Sequence, residues 1–233
     1  MKTILKLFLL ISINTQIYAQ QSDPKAIAIA KEVMQQMGGE EQWNNTHFIQ
    51  WDFGKRTLYW DKWTGDVRVE APNDALVILV NINTMKGKAY QNGTLVQDKQ
   101  QTKKLLKKGK NWWINDSYWL TMPWKLLDPG VTLTYLRTDT LPNGAQADVL
   151  QMTFENVGVT PNNKYEIFVD QQEKLVKQWA FFKNYQDTKP KFSKPWDNYQ
   201  KLGKVWLSFN RSDFGPKNVV VKDTFDAQLF TNL

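Results

Sequence analysis

Apolar positions recur along this chain with two different periods. Over 22–37, Ile27, Ala30, Val33, Met34 and Met37 fall at helical spacing, so one stripe of a predicted helix is apolar and needs a surface to pack on. Ser22 or Asp23 suits its cap, Pro24 its first turn, and Gly38-Gly39 stops it. From Thr46 the period shortens to two. Runs over 48–53, 56–61, 66–70 and 76–82 are β-branched or aromatic and are punctuated by Gly54, Thr64-Gly65 and Pro72-Asn73-Asp74, the pattern of antiparallel strands joined by hairpins. Asn92-Gly93, which tolerates positive φ, predicts a tight turn between 88–91 and 94–96.

The alternation breaks over 98–128. Two short helix-compatible pieces lie there, 103–107 and 115–120, the second with Asn115-Asp116-Ser117 as a cap and with Pro123 interrupting the run after it. Strands resume over 131–137, 147–154, 164–170, 175–183, 204–211 and 218–225. Helix, strands, helical insertion and strands again describe an α+β chain: a highly curved antiparallel sheet with helices on one side.

The first residues change the setting of that domain. Lys2 and Lys6, an apolar run over 7–13 and a small residue at Ala19 have the order of a secretory signal peptide, so 1–19 is expected to be removed, leaving 20–233 as one domain. The apolar run is short against the roughly 20 residues that span a bilayer. No cysteine follows it, so there is no lipobox, and an exported, periplasmic or secreted location is expected. With 0 cysteines in 233 residues, disulfides, thiol nucleophiles and thiolate metal sites are excluded. The net charge of +7 is spread except at Lys103-Lys104 and Lys107-Lys108 with Lys110, a cluster that reads as a solvated helix face or a contact with an anionic membrane surface. Nucleic acid is not an expected partner of an exported chain.

No motif names a reaction. His47 is the single histidine and no Gly-x-Ser-x-Gly elbow exists, so neither a serine triad nor a zinc site is expected, and no catalytic residue, metal or cofactor is assigned. Asp52, Asp61, Asp66 and Glu70 lie near aromatic strands, but nothing marks two of them as the pair that glycoside hydrolysis needs. The aromatic content of 11 Trp, 12 Phe and 8 Tyr is what sets this chain apart. Indoles bury large areas yet want one hydrogen bond, which suits the wall of a cavity or a platform for sugars. Trp112, Trp113, Tyr118, Trp119, Leu120, Met122, Trp124, Leu126 and Leu127 crowd 112–127, too many for one narrow helix face. That segment should lie between two surfaces or insert into the concavity, as a lid or plug.

Asn115-Asp116-Ser117-Tyr118-Trp119-Leu120-Thr121-Met122-Pro123-Trp124-Lys125-Leu126, followed by Asp128-Pro129-Gly130-Val131, resembles the outer-membrane lipoprotein-sorting superfamily. This is the group of periplasmic carriers LolA and LolB, and nearer still are uncharacterised exported proteins of Bacteroidetes. A second match runs from Val157-Gly158-Val159-Thr160-Pro161 through Tyr165-Glu166-Ile167-Phe168-Val169-Asp170 to Leu175-Val176-Lys177-Gln178-Trp179, and the likeness of layout spans 22–225. The resemblance implies an unclosed β-barrel whose helices cover or fill the concave side over an apolar cavity that shelters acyl chains. LolB-type receptors are themselves lipoproteins, whereas this chain has no cysteine to acylate. The reading that follows is an exported, non-enzymatic carrier or binding protein for a lipid, acyl chain or other apolar ligand. Trp51, Trp60, Trp119 and Trp124 are the expected lining. The expected partners are an apolar small molecule, a lipid or an acylated protein, with transient contact to an envelope membrane, and the chain is expected to act as a monomer. The rival readings are a carbohydrate-binding envelope module using the same indoles and, further off, a glycosidase.

Overall fold

The computed structural model describes residues 21–155 and 160–233; the expected signal peptide and residues 157–159 of the second resembling motif lie outside them. Helices α1 (Pro24–Gln36) and α2 (Glu40–Asn45) come first. They lead into strands β1 (Phe48–Phe53), β2 (Arg56–Asp61), β3 (Asp66–Ala71), β4 (Leu76–Asn81), β5 (Gly87–Gln91) and β6 (Thr94–Leu95). One long helix, α3 (Lys99–Thr121), separates these from β7 (Val131–Thr140), β8 (Gln146–Phe154), β9 (Lys164–Asp170) and β10 (Val176–Phe182). The last strands are β11 (Phe192–Pro195), β12 (Asp197–Leu202), β13 (Val205–Asn210) and β14 (Lys217–Lys222). The fold is α+β, antiparallel and unclosed. Its strands divide into a seven-stranded sheet in the order β14-β1-β2-β3-β4-β5-β6, a five-stranded sheet in the order β11-β10-β9-β8-β7, and the β12-β13 hairpin.

Alternation explains the seven-stranded sheet. Directly paired residues form two inward rows: Val221, Ile49, Trp60, Val67 and Val80 in one, and Trp51, Leu58, Val69, Ile78 and Ala89 in the other. All but Val221, which is half-buried, are buried in one continuous core with Ala26, Ile29, Ala30, Val33 and Met34 of α1, while Ile27 of the expected stripe is only half-buried. The opposite face carries the C-terminal residues: Phe225 and Phe230 pack on Phe48, and Arg68 Nη1 donates to the carbonyls of Leu229 and Asn232.

Helix α1 begins as its sequence predicts. Asp23 caps it through Oδ1, which accepts from Lys25 N at 2.8 Å, and the same residue borders β7, its backbone N donating to Leu133 O. Its far end is held by Trp206 N donating to Met37 O at 2.8 Å. Gly38, at φ 118°, lies so close to the β12-β13 hairpin that a Cβ would stand 2.5 Å from Lys204 O, which requires glycine there.

The central difference from expectation is α3. The two short helices predicted at 103–107 and 115–120 are a single 23-residue helix capped by Asp98, whose Oδ1 accepts from Gln101 N at 2.6 Å. Asn115-Asp116-Ser117 is not a cap but lies mid-helix. Gly109 is a packing device: a Cβ there would come within 2.7 Å of Ile78 Cγ2, so its absence lets α3 lie directly on β4. Asp116 is fully buried and accepts a two-pronged bond from Arg56 at 2.8 and 2.9 Å, fastening the helix to the start of β2. Burial raises the Asp116 pKa, outweighing the bonds from Arg56 and Asn115 that pull it down. One face of α3 packs on β3, β4 and β5. The expectation that the segment lies between two surfaces is met, because its other face looks onto the five-stranded sheet.

Sequence reasoning missed α2, β11, β12 and the C-terminal 3-10 turn Ala227–Phe230. Strand β12, Asp-Asn-Tyr-Gln-Lys-Leu, has no apolar alternation to detect, and is ordered by pairing with β13.

Candidate functional site

A cavity of about 520 Å³ lies between the C-terminal half of α3 and the five-stranded sheet, within the roughly 300–1,000 Å³ usual for small-molecule sites. The sheet's contribution is a cross-strand row: Tyr165, Phe181 and Phe192 are direct partners across β9, β10 and β11. Trp179, two residues before Phe181 and so on the same face, stacks on Tyr165 with centroids 5.2 Å apart and planes at 5°. Helix α3 supplies Trp113, Ile114, Ser117, Tyr118 and Trp119; Phe154, Val131 and Pro129 close one side. Trp119 meets Trp179 edge to face at 4.8 Å, and Tyr118 meets Tyr165 at 5.5 Å.

Polar groups are few. Tyr118 OH donates to Met152 Sδ at 3.3 Å, and burial holds its pKa well above the ordinary value. Burial likewise pushes Tyr165 up to about 12, so both phenols stay neutral near pH 7. The charged lining groups among the described residues are Lys125 and Asp128, paired at 2.7 Å.

The cavity wall is pinned from behind. Pro123 has no N–H, so the carbonyl four residues earlier, Trp119 O, lacks its helical donor; Arg211 Nη2 donates to it at 2.9 Å. Arg211 is fully buried, also donates to Ser208 and Asn210, and lies 3.3 Å over the Trp196 ring with no carboxylate in ion-pair distance among the described residues. Burial pushes its pKa down to about 9.

Of the four indoles expected to line a cavity, one does. Trp119 is in the wall. Trp51, Trp60 and Trp124, exposed by 0%, 7% and 2%, belong to the core between α3, α1 and the seven-stranded sheet. Among the described residues their Nε1 atoms have no hydrogen-bond acceptor, the cost that argued for placing them elsewhere. Neighbouring aromatic rings surround two of them: Trp60 meets Trp43 and Trp113 edge to face, and Trp124 stacks on Trp43 at 4.9 Å. Sequence reasoning did not select Tyr165, Trp179, Phe181 and Phe192. The signal for the first three was the alternation in 164–170 and 175–183, which shows a face but not which face borders open space; Phe192 lies in β11, which gave none.

The other candidates have structural partners. His47 Nδ1 lies 3.0 Å from Asp223 O and Nε2 3.3 Å from Asp61, while the ring stacks on Trp63 at 3.7 Å. Asp61 also accepts from the backbone of Trp63 and Thr64, Asp52 from Thr57 and Asn218, Asp66 from Thr64 and Asn81, and Glu70 holds Arg68. Among the described residues no group of three or more His, Cys, Asp or Glu is placed to hold a metal ion, and no helix is long and apolar enough to cross a membrane. The indoles most open to solvent, Trp63 and Trp206, sit on different elements, the turn after β2 and strand β13.

No protein-family model and no curated protein matches this chain. Among solved structures it is similar to a DUF1329 family protein from Desulfovibrio piger, at 10% identity and a TM-score of 0.47, over 90% of this chain and 98% of that one. It is also similar to MucB, solved in complex with MucA, at 9% identity and a TM-score of 0.26, over 89% of this chain and 59% of that one. At these scores neither likeness bears on function.

Proposed function

We propose that this protein is an exported, non-enzymatic carrier that shelters the apolar part of a lipid, acyl chain or similar ligand between α3 and the five-stranded sheet. The observation that carries this reading is the cavity wall: about 520 Å³ lined by Tyr118, Trp119, Tyr165, Trp179, Phe181 and Phe192, with one ion pair, Lys125 and Asp128, among its lining residues. Such a surface gains about 25 cal/mol for each Å² of apolar ligand removed from water. The phenols, held neutral by burial, add hydrogen-bond donors without charge. The indole edges and faces accept a chain of varied shape, which favours capacity over recognition of one headgroup.

The test is native mass spectrometry, with lipid extraction, on the protein purified from its own envelope. A co-purifying lipid or acylated species, reduced in Trp119→Ser and Phe192→Ser but retained in Trp63→Ser, is the expected result. Repeated preparations with a bare mass for every form would overturn it.

A further inference from the structure

The charge at the rim of this cavity is unbalanced. Lys125 lines the cavity and its Nζ pairs with Asp128 Oδ2 at 2.7 Å. A second ammonium stands one indole behind the same wall. Lys62 Nζ is 5.8 Å from the Trp60 ring, Trp60 meets Trp113 edge to face at 5.1 Å, and Trp113 lines the cavity. Lys62 also lies 4.1 Å over Trp43, which stacks on Trp124, the residue next to Lys125. Its Nζ donates to Trp43 O at 2.8 Å, and among the described residues no carboxylate is within ion-pair distance of it. Lys62 and Lys125 are close enough to repel, and that repulsion adds to burial in weakening the hold of Lys62 on its proton.

Of the two ammonium groups, Lys125 has one carboxylate partner, Asp128, and Lys62 has none among the described residues, where the lining of the cavity is otherwise uncharged. A low-dielectric wall strengthens the field of such an excess, and the field there is positive. An apolar chain alone leaves that field unanswered; a chain ending in an acid answers it. Resting on the apolar-ligand reading above, we infer that the cavity takes an anionic amphiphile. Its acidic head displaces Asp128 from Lys125, Lys62 supports it from behind the Trp60–Trp113 pair, and its chain lies along Tyr165 and Phe181. The shared chemistry is one acidic head on an apolar body, whether the acid is a carboxylate or a phosphate.

The test uses cis-parinaric acid and its methyl ester, which share the same chain and differ at the head, a carboxylate against an uncharged ester, titrated by fluorescence into the mature chain. The acid is expected to bind about tenfold more tightly than the ester, about 1.4 kcal/mol. Lys125→Met should remove that preference, Lys125→Arg should keep it, and Lys62→Met should narrow it. Asp128→Asn, which frees Lys125, should widen it, and added salt should narrow it. A vesicle-free titration with a long-chain alkyl phosphate against the matching alcohol separates the two acids: a preference for the phosphate alone assigns a phosphate head. Equal affinity for charged and neutral partners in both pairs overturns the inference while leaving the apolar carrier standing. A preference that survives Lys125→Met also overturns it. Failure of acid and ester alike to bind overturns the carrier reading itself.

Discussion

The two halves of α3 meet the two sheets in opposite ways. Along the N-terminal half, Gly109 removes the side chain that would strike Ile78, and Leu106 is buried against the branched aliphatic rows of the seven-stranded sheet. Branched side chains interdigitate, and the backbone approach that glycine allows leaves no room between helix and strand. Along the C-terminal half, planar rings face planar rings. Trp119 and Phe192 have centroids 6.0 Å apart, Tyr118 and Tyr165 5.5 Å, and about 520 Å³ is left among them. Rigid rings prefer edge and offset contacts and do not fold into the gaps between one another. One helix thus seals one sheet and stands off from the other, and the difference is written in the shape of its residues rather than in their hydrophobicity.

The largest effect that should separate the halves is loss of an indole from each. Trp51→Ala, at a fully buried position in the sealed half, should cost about 3–5 kcal/mol in urea unfolding. Trp119→Ala, in the cavity wall, should cost less and should lose ligand. Equal stability costs would show that the wall of the cavity is packed as tightly as the core. Next in size is Gly109→Leu. In an isolated helix the change is worth about 0.5–1 kcal/mol in favour of leucine, but against Ile78 overpacking should reverse the sign and destabilise by about 1–3 kcal/mol. Gly109→Ala combined with Ile78→Ala should show coupling, since the new Cβ then has space; strict additivity would mean the two residues do not meet. On the open side, Val131→Phe adds bulk to the lining. It should change stability by under about 1 kcal/mol and abolish uptake of the chain probe.

Most of the fold was legible because alternation is a local signal. Ile49, Trp51 and Phe53 in β1, or Val67 and Val69 in β3, declare an inward face wherever the strand ends up. The helix was harder. Gly109 and the polar residues near it lower helix propensity, and the packing that repays them, Ile78 below Gly109 and Arg56 on Asp116, comes from strands far off in sequence. The site was harder again. Trp51 and Trp60 were expected to line the cavity; they do face inward, but from the sheet that is sealed. Tyr165 and Trp179 carry the same alternating signature on the sheet that is not sealed. Periodicity shows that a face is covered; whether the cover touches it depends on pairs such as Gly109 and Ile78, which no local pattern reports.

The smallest effect lies where the halves join, at Lys62. Its ammonium rests among Trp43 and Trp60, on the sealed side of the Trp60–Trp113 contact, and burial first, then repulsion from Lys125, pushes its pKa from 10.5 to about 8. An unfolded lysine keeps its proton up to about 10.4. Below pH 8 both states are protonated and the fold bears the whole cost of the buried charge. From there to about 10.4 the folded state has released its proton and the unfolded state has not, so this group's contribution to stability rises with pH. Lys62→Met removes the charge at every pH. The variant should therefore be the more stable protein at pH 7, with the advantage shrinking as pH rises through that window, read as the difference in urea midpoint between the two proteins. Groups that do not interact with Lys62 titrate equally in both and cancel in that difference. A difference that does not change with pH would put the Lys62 ammonium in open water, away from the junction, and would loosen the link between the sealed half and the charge at the cavity rim.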